Sequence, residues 1–119
     1  MAFVHLHNHT EYSMLDGATK IKDMVRRAAD LDMPAVAITD HGVMCGVPEL
    51  CDACEAVEKE TGKKVKPIYG CEVYFTTDEE LRKDVKPKLY HLLLLAKTNE
   101  GYHNLLHLVS ESHVDNIYY

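Results

Sequence analysis

The sequence predicts an α/β fold, and three observations carry that prediction. Short β-rich runs alternate with amphipathic helical stretches, the run at 35–39 shows no polar alternation, and Pro or Gly stands at the junctions. Strands that alternate with helices are expected to be parallel and joined by crossovers, with ligands gathered beyond their C-terminal ends.

The elements follow in order. Phe3-Val4-His5-Leu6-His7 is rich in β-formers and runs into the polar stretch 8–17, so a first strand ending in a loop is expected there. From Thr19, a candidate N-cap, Ile21, Met24, Val25, Ala28 and Leu31 recur at helical spacing, while Lys22, Asp23, Arg26 and Asp30 take the other face. Pro34 separates this helix from Ala35-Val36-Ala37-Ile38-Thr39, read as a strand covered on both faces, which ends in Asp40-His41-Gly42. A second helix is expected from Val47-Pro48 to Gly62, with Leu50, Cys54 and Val57 inward. A third strand spans 66–75, an exposed charged excursion 77–88, and a fourth strand 90–97. Asn99 is placed to cap a last helix whose stripe is Tyr102, Leu105, Leu106 and Val109, and the chain fades out at 116–119. Four strands suffice for a small open sheet and are too few to close a β/α barrel.

Composition narrows the function. The chain has 119 residues, 46% hydrophobic and 27% charged, which describes an ordinary globular chain of about one domain. Thirteen Lys plus Arg against nineteen Asp plus Glu leave a net charge of -6, the wrong sign for a surface that neutralises many phosphates. Any grip on phosphate must be local. No apolar run approaches a membrane span and no export signal opens the chain, so a cytoplasmic protein with four reduced cysteines is expected. The unusual count is eight His.

His7-Asn8-His9 is a His-x-His pair at the end of the first strand, where a period of two points both imidazoles the same way. The pattern alone is weak; its position strengthens it. Asp16 lies on the same loop, His41 after the second strand, Glu72 on the third and His91 on the fourth, so each strand offers a metal-type ligand. Four imidazoles with two carboxylates suit Zn²⁺, Mn²⁺ or Fe²⁺ and are too nitrogen-rich for Ca²⁺ or Mg²⁺. Six ligands exceed the needs of one tetrahedral ion, so two or more metals bridged by a carboxylate such as Glu72 are expected, a device suited to phosphoester hydrolysis. Asp40 and Glu72 are the candidate catalytic residues; Asp40 either orients an imidazole or caps a turn.

Four segments now carry a resemblance. Phe3-Val4-His5-Leu6-His7-Asn8-His9-Thr10, Tyr12-Ser13-Met14-Leu15-Asp16-Gly17-Ala18, Ala37-Ile38-Thr39-Asp40-His41-Gly42 and Gly70-Cys71-Glu72-Val73-Tyr74 resemble the opening motifs of the polymerase and histidinol phosphatase (PHP) superfamily. Ser13-Met14-Leu15-Asp16-Gly17-Ala18, the run from His91 through Lys97, and Gly101-Tyr102-His103-Asn104-Leu105 are similar, more narrowly, to the PHP domain that opens bacterial replicative DNA polymerase III α subunits. The resemblance covers nearly the whole chain. It implies a distorted barrel of seven β/α units, of which residues 1–119 supply about the first four, with a trinuclear metal cluster at the C-terminal strand ends; two to three divalent metals are the expected complement here. The family's metal positions fall on His7, His9, Asp16, His41, Glu72 and His91, and its remaining ligands are expected beyond Tyr119. The implied activity is metal-dependent phosphoester hydrolysis, 3′ to 5′ exonucleolytic proofreading of a DNA 3′ end beside other subunits of the polymerase. A stand-alone phosphatase similar to histidinol phosphatase and a non-catalytic scaffold are the competing readings. An unpaired sheet edge is also expected to invite association between copies.

Other features stay structural. Cys51-Asp52-Ala53-Cys54 has redox spacing but lies inside a predicted helix. His103 and His107 have the spacing of a helical zinc pair on a solvated face, while His5 and His113 read as packing residues.

Overall fold

The structure, a computed structural model, describes residues 3–82 and 86–114. Its elements are α1 (Ile21–Asp30), β1 (Ala35–Ile38), α2 (Val47–Thr61), β2 (Lys66–Phe75), α3 (Asp78–Leu81), β3 (Tyr90–Leu95) and α4 (Asn99–Val114). The reading of residues 116–119 lies outside the described residues.

The core forms where α1 and α2 pack together over the sheet. Ile21 and Val25 of α1, Ile38 of β1, Leu50 of α2 and Cys71 of β2 are all buried to within 1%. The α1 stripe buries Ile21, Val25 and Ala28 as its spacing predicts, but Leu31 falls past the helix end and is 49% exposed. α2 carries Pro48 in its first turn and ends at Gly62, whose φ of 73° supplies the left-handed closing residue. β1 is buried along its whole length, as a strand covered on both faces should be. In α4, Leu105 and Val109 are buried and Tyr102 and Leu106 pack against the core.

Three expectations are corrected. First, residues 3–9 form no regular strand. They run beside β1, where Ala37 N–H donates to the His5 carbonyl and Thr39 N–H to that of Asn8. The Asn8 carboxamide donates to the Ala37 carbonyl, the acceptor a strand N–H would have used. A side chain has replaced a rung of the ladder.

Second, the sheet is mixed. β1 and β2 are parallel, in register from Ala35 opposite Lys66 to Ile38 opposite Tyr69. β3 instead pairs antiparallel to β2, from Gly70 opposite Leu95 to Phe75 opposite Tyr90, giving the order β1-β2-β3. Parallel strands are usually joined by a crossover helix, and the helix described between β2 and β3, α3, has only four residues. The chain therefore turns back on itself. Third, neither predicted cap holds: α1 is preceded by Lys20 without a side-chain cap, and Thr98 Oγ1, not Asn99, accepts the Gly101 N–H.

This arrangement aims four segments at one place. The loop after residue 9, the turn after β1, the second half of β2 and the start of β3 meet at one end of the sheet.

Candidate metal centre

Glu72 is the hub. It sits on β2, where Glu72 N–H donates to the Asp40 carbonyl and Gly42 N–H to the Glu72 carbonyl, so the turn after β1 is stitched to it on both sides. Its side chain is only 4% exposed. Oε2 lies 2.6 Å from Nε2 of both His7 and His9, and Oε1 lies 2.5 Å from Nδ1 of His91. His41 Nε2 stands 3.9 Å from Oε2. The two-residue spacing of His7 and His9 thus brings both imidazoles to one oxygen even without a regular strand.

Asp16 is the second hub. Its Oδ2 lies 2.6 Å from His9 Nδ1 and 2.8 Å from His41 Nε2. Its loop is tightly wound: Asp16 and Gly17 N–H both donate to the Ser13 carbonyl, and Ser13 Oγ accepts the His41 N–H. Leu15, just before Asp16, has a φ of 70°, a left-handed conformation that costs a branched residue about 1–2 kcal/mol. That strain is held at a metal-type ligand.

All six sequence-predicted ligands converge as three overlapping triads: His7, His9 and Glu72; His9, Asp16 and His41; His41, Glu72 and His91. Within each, one ligand atom per residue lies within 4.8 Å of the others. The chemistry of the donor set fits cations. His9 faces a carboxylate oxygen from each ring nitrogen, at 2.6 Å on both sides, and a neutral ring has only one N–H to offer, so a shared cation suits this arrangement. Burial pushes the Glu72 carboxyl up, but hydrogen bonds from His7, His91 and His9 outweigh it and hold the group down at about 2. Glu72 is therefore an anion at any pH where imidazoles ligate.

Asp40 takes a different place. It is 1% exposed, and its two oxygens accept the Thr10 N–H at 2.6 Å and the Thr10 hydroxyl at 2.8 Å. Among the described residues it bonds to no imidazole, so the turn-holding alternative describes its geometry. Thr10 follows His9 directly, and Asp40 precedes His41. The pair clamps together the two segments that carry these ligands.

Sequence reasoning passed over Tyr74 and His113. Tyr74, two residues from Glu72 on the same face of β2, stacks on His41 at 5.9 Å between centroids and meets His91 edge-on at 5.0 Å. Its only sequence signal was that two-residue spacing. His113, read as a packing residue, is exposed at the end of α4, where Nε2 donates to the Gly42 carbonyl at 2.6 Å. No local pattern could reveal a partner 71 residues away. The other set-aside residues remain apart from the centre: Cys51 Sγ is 2.8 Å from the Tyr69 hydroxyl, His107 pairs with Glu111 on the exposed face of α4, and His5 packs edge-on against Phe3.

The family model of the PHP domain matches residues 5–119. The chain belongs to the PHP domain family. Among curated proteins, this PHP sequence is 44% identical over 118 residues to a DNA polymerase III subunit alpha of Helicobacter pylori, covering 99% of this chain and 9% of that one. It is 42% identical to the DNA polymerase III subunit alpha of Borreliella burgdorferi, covering 98% of this chain and 10% of that one. That of Treponema pallidum is 38% identical over 122 residues, covering 100% and 10%. The chain thus spans about a tenth of the length of these relatives. Among solved structures, one assigned as a metal-dependent phosphoesterase from Bifidobacterium adolescentis aligns at TM-score 0.53 and 25% identity, over 87% of this chain and 31% of that one. An amidohydrolase from Chromobacterium violaceum, solved with bound sulfate and no metal, aligns at TM-score 0.58 and 21% identity, over 92% and 34%, and shares the fold.

Proposed function

We propose that this PHP chain is part of a bacterial replicative DNA polymerase III α subunit and that its centre holds two to three Zn, Mn or Fe ions for phosphoester hydrolysis, acting as a 3′ to 5′ exonuclease on the DNA 3′ end. The observation that carries the reading is the three overlapping triads of His and carboxylate ligands. Polymerase α subunits aligned along 98–100% of the chain support the parent protein, and the phosphoesterase neighbour supports the reaction class. The barrel reading is part of the proposal: residues 1–119 form about the first four units of a distorted seven-unit β/α barrel, supported by fold neighbours about three times as long. The proposed partners are the DNA 3′ end, other subunits of the polymerase, and a second copy through the outer edge of β3, all in the cytoplasm. No described helix is long and apolar enough to cross a membrane.

Bound divalent metals supply Lewis-acid stabilisation of the phosphoryl oxygens and an activated water. The chain's part is to hold that assembly rigid. Glu72, kept ionised, presents one oxygen to His7 and His9 and the other to His91. His9 spans Glu72 and Asp16, so no ligand of the centre moves independently. Asp40, through Thr10, orients the segment of His7 and His9, and Ser13 ties the Asp16 loop to His41. The positive charge of the metals offers an otherwise acidic chain its local hold on phosphate.

The test is metal content per chain by elemental analysis near pH 8, for the native protein and for His9→Ala, followed by hydrolysis of 3′-end-labelled single-stranded DNA against a small phosphomonoester. Two or more ions per chain, mostly lost in the variant, with DNA preferred, is the expected result. A native chain that keeps its metals but hydrolyses only the monoester overturns the exonuclease reading.

A further inference from the structure

The proposed centre can seize a phosphate, but a net charge of -6 gives the chain little else with which to hold a nucleic acid strand. Stacking a base on an aromatic ring is a contribution that needs no charge and tolerates any sequence, because every base has a π-face. The rim of the centre carries one ring placed for it.

Tyr74 shares the sheet face of Glu72 and stands opposite His91 in the β2–β3 register. Its ring lies nearly parallel to that of His41, 19° between planes, and perpendicular to that of His91 at 89°. Two ligand imidazoles therefore fix the ring's orientation. It is nevertheless 62% exposed, where a ring serving only to pack the imidazoles would be expected to turn inward. A large aromatic surface is thus held out to solvent at the edge of a site that takes phosphoesters. Resting on the exonuclease reading above, we propose that Tyr74 is the platform on which the terminal nucleobase stacks while its phosphodiester enters the metal centre. Tyr74 then separates a nucleotide-bearing substrate from a small phosphomonoester, which has no base to offer.

The test uses the full chain loaded with Mn²⁺, as wild type, Tyr74→Phe and Tyr74→Ala. Binding is read as quenching of a 3′-terminal 2-aminopurine in a single strand whose terminal linkage is a non-hydrolysable bridging methylenephosphonate. Turnover is read on an ordinary strand and on one ending in an abasic residue. Wild type and Tyr74→Phe should quench alike. Tyr74→Ala should bind at least about fivefold more weakly, the lower end for one base–aromatic stack. Its KM for the ordinary strand should rise by the same factor relative to its KM for the abasic strand. Quenching that depends on Tyr74 without cleavage of any strand would uphold the platform and sink the hydrolytic reading. Equal binding by Tyr74→Ala, no quenching by wild type, or loss of bound metal in Tyr74→Ala would each overturn the proposal.

Discussion

At the scale of single residues, two buried carboxylates, Asp40 just after β1 and Glu72 on β2, have opposite tasks. Asp40 satisfies the buried Thr10 N–H and hydroxyl, and Asp40→Ala would leave both without an acceptor. The expected loss is about 2–3 kcal/mol of stability by chemical denaturation, with Asp40→Asn losing less because its carbonyl still accepts one bond. Because Asp40 holds the segment of His7 and His9 through Thr10, the Asn variant, which keeps one of the two bonds, should lose less metal than Asp40→Ala. Glu72 behaves differently with acid. Its folded pKa of about 2 lies below its ordinary 4.5, so it stabilises the fold fully above about pH 4.5, and the contribution is lost as pH falls toward 2. In the presence of a chelator, the urea midpoint of the native chain should exceed that of Glu72→Gln at pH 6, and the gap should narrow steadily below pH 4.5 as pH falls toward 2.

At the scale of elements, the β2–β3 pair decides whether His91 reaches the centre. Gly70 sits where that pairing begins, and a Cβ there would come within 2.6 Å of the Leu94 carbonyl oxygen and 2.7 Å of the Leu95 side chain. The first of these is backbone of β3 and cannot turn aside. Gly70→Ala should therefore push β3 away from β2, costing about 1–3 kcal/mol and loosening the strand that carries His91. The expected signature is weaker metal retention on dialysis at pH 8, with the α1–α2 core intact by circular dichroism. Gly62 makes a useful contrast: its φ is 73° but nothing lies within 4 Å of its Cβ position. Substitution there meets only the local cost of the left-handed backbone.

At the scale of the whole molecule, the chain is longer than it is thick, 56 × 27 × 25 Å, with a radius of gyration of 16.1 Å. A compact domain of this length has about 13–14 Å. On β3, Tyr90, Leu92 and Leu95 are each 39–43% exposed, whereas β1 is buried throughout, so the sheet is covered at the β1 side and open at the other. A molecule with one compact flank and one open flank gains most from a cross-link between them, and the ligands come from the N-terminal segment, the turn after β1, β2 and β3. Added Zn²⁺ or Mn²⁺ should raise the melting temperature in proportion to the logarithm of its concentration, by about 2.7 kcal/mol of stability at a hundredfold excess over Kd, and chelation should reverse it. An unchanged melting temperature would mean that the native chain binds no metal at this centre.

How much of this was legible in the sequence depends on the range of the interaction. Helices α1, α2 and α4, the buried strand β1, and the pairing of His7 with His9 follow from periodicities of about four and two residues, which are properties of neighbouring positions alone. The six candidate ligands were legible as residue types; that His91, at the start of β3, reaches the others depends on the antiparallel return, which parallel β/α order does not foresee. What only the tertiary structure decided involves partners far apart. Asn8 replaces a strand rung at Ala37, Asp40 grips Thr10, Tyr74 lies on His41, and β3 pairs antiparallel to β2. Hydrogen-bond demand and strand direction are settled between distant segments, and a local sequence pattern carries no record of which segment will answer.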